Sequence, residues 1–168
     1  MIKNLNIYFV TMFGLGKVPK IPGTFGSLAT VILLYFFFHI LDLSSNIILL
    51  FLGIVFIFSF SAVGTYIQDN KNKDPKEVTI DEVIGQSIPI YLYEIAHRTD
   101  KNPQDSAIIY VCIFILFRFF DIQKPFPINI FDKKFKNSFG VIFDDVIAGF
   151  YVVLTLIIFM VIKSNFLL

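Results

Sequence analysis

The stretch IILLFLGIVFIFSFSAVGTY, residues Ile47–Tyr66, decides the fold. It runs for twenty residues without a charged side chain. A helix needs about 20 apolar residues to cross the hydrocarbon core of a bilayer, so this segment reads as a membrane span. Four other apolar runs flank it: Leu28–Leu41, Val83–Ile95, Ala107–Phe120 and Val146–Ile162. The last is also long enough to cross. Leu28–Leu41 and Ala107–Phe120 are short but extend through their neighbours, and Val83–Ile95 is interrupted by Gln86, Ser87, Pro89 and Glu94. The expectation is an all-α helical membrane bundle with four to five hydrophobic helices, forming one domain over residues 1–168.

Composition agrees. The chain has 168 residues, 56% of them hydrophobic and only 16% charged, with a mean hydropathy of +0.75. Soluble domains are about 45–50% apolar and about 25% charged. A net charge of +1 gives no reason to expect a nucleic-acid partner. Cys112 is the single cysteine, which excludes an internal disulfide and a cysteine-rich metal site. His39 and His97 are the two histidines, too few and too scattered for a histidine zinc site. The opening Met1-Ile2-Lys3-Asn4 lacks the basic stretch and clean apolar core of a cleaved signal peptide.

With the N-terminus inside and all five runs crossing, Lys3, Lys17, Lys20, Lys71, Lys73, Lys76, Arg118, Lys124, Lys133, Lys134 and Lys136 fall on the cytoplasmic side. Arg98, Lys101 and Lys163 fall opposite. Eleven against three satisfies the positive-inside rule.

Four polar clusters interrupt this apolar pattern. Gly14-Leu15-Gly16-Lys17-Val18-Pro19-Lys20-Ile21-Pro22-Gly23-Thr24-Phe25-Gly26-Ser27 precedes the first run. A glycine-rich loop ahead of a helix can hold phosphate on its amides, although it can equally be a turn-rich entry to a span. Thr79-Ile80-Asp81-Glu82 has capping-box spacing, so Glu82 either caps a helix or helps ligate a cation. Arg118, Asp121 and Lys124 are three apart and share one side of a helix that Pro125 limits. Snorkelling at a helix end is the alternative for the two bases. Asp144-Asp145 opens the fifth run; one aspartate would suffice as an N-cap, and two adjacent carboxylates call for a proton or a cation between them.

The topology places all four clusters at the cytoplasmic ends of the spans. Ionisable groups at membrane depth are costly and usually mark function. Asp81, Glu82, Asp121, Asp144 and Asp145 can form one carboxylate nest, with Arg118 and Lys124 beside it as catalytic partners. Hard cations prefer oxygen ligands, and Mg²⁺ typically takes one or two carboxylates plus substrate phosphate. The whole is a phosphoryl-transfer constellation. A cation transporter or channel is the rival reading, but it should bury its carboxylates near mid-membrane. Cys112 and Arg118 have the spacing of a cysteine-phosphatase loop, yet the residues between them, Ile113-Phe114-Ile115-Leu116-Phe117, suit only apolar helix.

These motifs together resemble the phosphatidylglycerophosphatase A family. The resemblance rests on Gly14 through Pro22-Gly23-Thr24-x-Gly26-Ser27, Asp81-Glu82-x-x-Gly85, Arg118-x-x-Asp121-x-x-Lys124-Pro125-x-Pro127-Ile128 and Asp144-Asp145-x-x-Ala148-Gly149, in order, over roughly Thr11 to Ile158. It implies an all-helical enzyme of the bacterial inner membrane that removes the terminal phosphate of phosphatidylglycerophosphate with Mg²⁺. It also implies Glu82, Asp121, Asp144 and Asp145 as metal ligands. Lys17, Gly23, Thr24, Gly26 and Ser27 would then bind substrate.

Overall fold

The computed structural model describes residues 2–69, 75–97 and 102–166, and all regular structure within them is helical. In chain order the elements are α1 (Ile2–Val10), a 3₁₀ turn (Leu15–Lys17), α2 (Pro22–Tyr35), α3 (Ser45–Asp69), α4 (Ile80–Ala96), α5 (Pro103–Gln123), α6 (Ile128–Lys134) and α7 (Ser138–Phe166). A π-helical turn, Phe36–Ile40, prolongs α2. Lys71, Lys73, Arg98 and Lys101, which entered the charge tally above, lie outside the described residues.

Among the described residues, three helical segments are long and apolar enough to cross a membrane: Pro22–Ile40, Ser45–Gln68 and Ser138–Asn165. Their outward faces carry exposed Ile32, Ile54, Ile57, Leu154 and Ile158, as expected of helices bathed in lipid.

Helix α4 behaves differently. It spans 17 residues and packs against α7, α2, α3 and α5, so it is the central helix of the bundle. The polar residues that weakened its apolar run point inward: Gln86, Ser87 and Glu94 are all buried. Glu94 is satisfied at the far end of the bundle, where its Oε1 accepts from the Tyr110 hydroxyl at 3.1 Å and lies 3.3 Å from His39 Nε2. A buried carboxylate is tolerable only with such partners.

The core divides around α4. Val10, Val63, Ile67, Val83, Ile84 and Ile142 pack together on the side of α1 and α3. Leu34, Ile90, Tyr110, Ile113, Phe117 and Val152 form the other cluster, between α2, α5 and α7.

Helix ends follow local chemistry. Pro22 stands at the start of α2, where its missing N–H costs nothing. Asn102 caps α5 by accepting from the Gln104 amide at 3.2 Å, with Pro103 next. At its other end α5 stops at Lys124, which has a left-handed φ of 44°, just before Pro125.

Candidate active site

The four polar clusters converge on one cleft of about 330 Å³, at the end of the bundle where α2, α4 and α7 begin and α5 stops. Two glycines bring the acidic pairs together. A Cβ on Gly85 would lie 2.5 Å from the Asp145 carbonyl oxygen, and one on Gly149 would lie 2.4 Å from that of Gly85. Only bare backbone allows α4 and α7 to approach so closely. The contact sets Asp81 and Glu82 on α4 beside Asp145 on α7, and each of the three offers a carboxylate oxygen within 4.8 Å of the others.

The α2 helix closes from a third side by the same device. A Cβ on Gly23 would sit 2.0 Å from Glu82 Oε1 and 3.2 Å from Arg118 Nη1. Gly26 rests on Thr79, whose Cβ would be 3.1 Å from an added methyl.

Arg118 organises the base side. Its Nη1 is 2.7 Å from Asp121 Oδ2, one helical turn away, and 3.9 Å from Glu82 Oε1. The same nitrogen donates to Ser27 Oγ at 3.3 Å. Lys124, just past the end of α5, donates to Asp144 Oδ2 at 2.8 Å. Asp121 and Asp144 are thus each held by a base, leaving Asp81, Glu82 and Asp145 as the close carboxylate group.

Electrostatics mark the start of α4. Burial raises Asp81 well above the ordinary carboxylate range, and the neighbouring Glu82 raises it further. Burial also pushes Glu82 up to about 7; Asp121 adds to the rise while Asp81 and Arg118 oppose it. Glu82 Oε2 and Arg118 Nε are buried without a protein partner among the described residues. Buried polar atoms are nearly always satisfied by something, so these two call for water, ion or ligand.

Several expected placements need correction. The Gly14–Ser27 segment is not one loop: Pro22–Ser27 already belongs to α2. Gly23 and Thr24 line the cleft, whereas Gly26 and Ser27 stand behind it as packing and as an anchor for Arg118. Lys17 is exposed on the 3₁₀ turn, outside the cleft wall. Lys20 lines the wall instead, with Lys76 and Lys136, three bases the motifs did not single out. The capping box does not form, because Thr79 makes no side-chain cap and Glu82 turns to Arg118. Nor do Asp144 and Asp145 cap α7. That helix starts two turns earlier, where Asn137 Oδ1 accepts from the Gly140 amide at 3.1 Å. Cys112 is exposed in the middle of α5, and the residues between it and Arg118 are continuous helix.

Fold and cleft define a helical protein of membrane type whose clustered carboxylates and bases suit phosphate chemistry. Comparison with known proteins gives the family. The sequence profile described as Phosphatidylglycerophosphatase A matches residues 8–160. A Haemophilus influenzae protein of that name is 37% identical over 142 residues, covering 84% of this chain and 80% of the relative. The Escherichia coli protein of that name is 32% identical over 143 residues, or 82% and 73% of the two chains. A Bacteroides thetaiotaomicron relative, provisionally named a phosphatidylinositol-3-phosphatase, is 31% identical over 150 residues, 88% of each chain. No solved structure matches the chain. The chain belongs to the phosphatidylglycerophosphatase A family of lipid phosphatases.

Proposed function

We propose that this enzyme hydrolyses the terminal phosphomonoester of phosphatidylglycerophosphate to phosphatidylglycerol, using Mg²⁺, at the cytoplasmic face of a bacterial inner membrane. The observation that carries this is the convergence of Asp81, Glu82 and Asp145 within 4.8 Å, in one cleft with Arg118 and Lys124. The names of the Haemophilus influenzae and Escherichia coli relatives supply the substrate.

The donor set fits Mg²⁺. It is all oxygen, it is compact, and one of its residues, Glu82, carries a buried Oε2 with no protein partner among the described residues. A dication held there would act as a Lewis acid on the phosphoryl oxygens. The remaining work falls to side chains. Arg118 and Lys124 neutralise and orient the phosphoryl group, Asp121 and Asp144 keep those two bases in place, and the start of α2 closes the cleft at Gly23 and Thr24. Water attacks phosphorus, a carboxylate of the cluster takes its proton, and the phosphorus–oxygen bond to the glycerol breaks. The departing oxygen is protonated, giving a free hydroxyl and inorganic phosphate.

The distribution of bases supports this orientation. Lys20, Lys76, Arg118, Lys124 and Lys136 all line the cleft, while Lys163 sits in the last turn of α7, at the opposite end of that helix from Asp144. Basic loops favour the cytoplasm.

The test is phosphate release from phosphatidylglycerophosphate by detergent-solubilised protein, with Mg²⁺ and with excess EDTA. Phosphatidylinositol 3-phosphate serves as the competing substrate. Release that requires Mg²⁺ and prefers phosphatidylglycerophosphate is expected; equal release in EDTA removes the metal role.

A further inference from the structure

The bases that sequence motifs left aside have a task of their own. Lys20, Lys76 and Lys136 line the same cleft as the carboxylates but come from three separate places: the turn before α2, the connection before α4 and the link between α6 and α7. Arg118 and Lys124 are already committed to Asp121 and Asp144. Lys20 and Lys76 are exposed and pair with no carboxylate among the described residues. Lys20 is also held in the left-handed region, at φ 79°, a conformation that side-chain-bearing residues rarely adopt. Its neighbour Ile21 is exposed and lines the cleft as well, as does Ile122 on α5, so the rim pairs charge with apolar surface.

This pattern matches the chemistry of a doubly phosphorylated lipid. Hydrolysis at the carboxylate cluster engages the terminal monoester. The substrate's second phosphate, the diester that joins the headgroup to diacylglycerol, must then lie outside that cluster and towards the lipid. We propose that Lys20 and Lys76 form a subsite for this inner phosphodiester, and so select glycerophospholipids bearing a monoester phosphate beyond a diester. The proposal rests on the phosphatase reading above and adds the substrate class that the cleft accepts. A lysine ammonium on a phosphate oxygen is a charge-assisted contact, stronger than a neutral hydrogen bond.

The test uses full-length protein in neutral detergent with Mg²⁺, comparing wild type, Lys20→Ala/Lys76→Ala and Lys20→Arg/Lys76→Arg. Three quantities are read: kcat and KM for phosphatidylglycerophosphate, Ki for phosphatidylglycerol, and Ki for inorganic phosphate. Phosphatidylglycerol keeps the diester and lacks the monoester; inorganic phosphate stands for the monoester alone. In the alanine variant KM and the phosphatidylglycerol Ki rise together by about tenfold, the scale of one lost charged hydrogen bond. The inorganic phosphate Ki moves far less, and the arginine variant recovers most of the loss. An unchanged KM overturns the subsite. So does an equal rise in both Ki values, which would make the lysines a general attractor for anions. Wild-type protein that releases no phosphate overturns the phosphatase reading and this one with it, an outcome distinct from either.

Discussion

Gly85 and Gly149 form the contact at which α4 and α7 touch, with room for backbone alone: a methyl on Gly149 would lie 2.4 Å from the Gly85 carbonyl oxygen. Each glycine follows an acidic pair within one or two turns, so the close approach of the helices is what assembles the carboxylate group. Gly85→Ala and Gly149→Ala should each destabilise the protein by about 1–3 kcal/mol, the usual cost of overpacking. Thermal unfolding in detergent measures this, and turnover should fall more than the folded fraction does. Full activity in a stable Gly149→Ala protein would break the link between this crossing and the site.

Asp145 is buried, belongs to the close carboxylate group, and forms no ion pair with a base among the described residues. Asp145→Asn and Asp81→Asn should lower kcat by at least about 100-fold, the order of effect of removing a positioned acid–base or charge-stabilising group. Both proteins should still partition into the membrane fraction. Phosphate release per membrane-inserted protein is the measurement.

Arg118 makes one strong ion pair, to Asp121, and a bond to Ser27. Both contacts use Nη1, and a lysine ammonium placed there could not also supply the guanidinium's remaining donors, of which Nε is buried without a protein partner among the described residues. Arg118→Lys is therefore expected to lose most activity, with Ser27→Ala a milder loss through looser placement of the guanidinium. Steady-state kinetics on the two variants separates them; a Ser27→Ala defect as deep as that of Arg118→Lys would contradict the anchoring role.

Acid-raised carboxylates set a pH dependence with a definite sign. Glu82 titrates near 7 in the folded protein against an ordinary value of 4.5, and Asp81 is raised as well, burial being the main cause in both. Between those values the folded state holds protons that the unfolded chain has released. The stability contribution is fully present below about 4.5 and is lost as pH rises through about 7. Metal-free protein should therefore melt at lower temperature as pH increases across this window. Mg²⁺ held by these carboxylates would compete with the same protons, so the rise in melting temperature it produces should grow with pH. Melting curves in EDTA and in Mg²⁺ at several pH values give the answer; a Mg²⁺ effect independent of pH would place the ion elsewhere.

Cys112 is exposed on α5 and lies outside the cleft wall. Cys112→Ser should leave kcat and KM within about twofold of wild type, since isolated surface changes are usually small.

Much of this architecture was legible from residue order. The helical class, the long spans and the convergence of four motifs at one end all follow from apolar run lengths and basic loops. Details that depend on distant partners did not. Asp144-Asp145 looked like the start of α7, but Asn137 supplies the cap and Val141 and Ile142 already pack in the core, so the helix begins at Ser138. Glu94 looked like a break in an apolar run, because its partners Tyr110 and His39 are 16 and 55 residues away. Lys17 and Lys20 sit in one glycine-rich segment, and residue order alone does not separate them; the fold puts Lys20, at φ 79°, on the cleft wall and Lys17 outside it.

The cleft wall carries five carboxylates, Asp81, Glu82, Asp121, Asp144 and Asp145, against five bases, Lys20, Lys76, Arg118, Lys124 and Lys136. With all ten ionised, their formal charges cancel. Above the pH at which Glu82 and Asp81 lose their protons, a dication entering alone, or a dianionic phosphate entering alone, would unbalance the site; arriving together, they would leave it neutral. On the proposed reading, cation and phosphate would thereby be each other's effectors. By linkage, whatever factor the one adds to the affinity of the other is returned in equal measure.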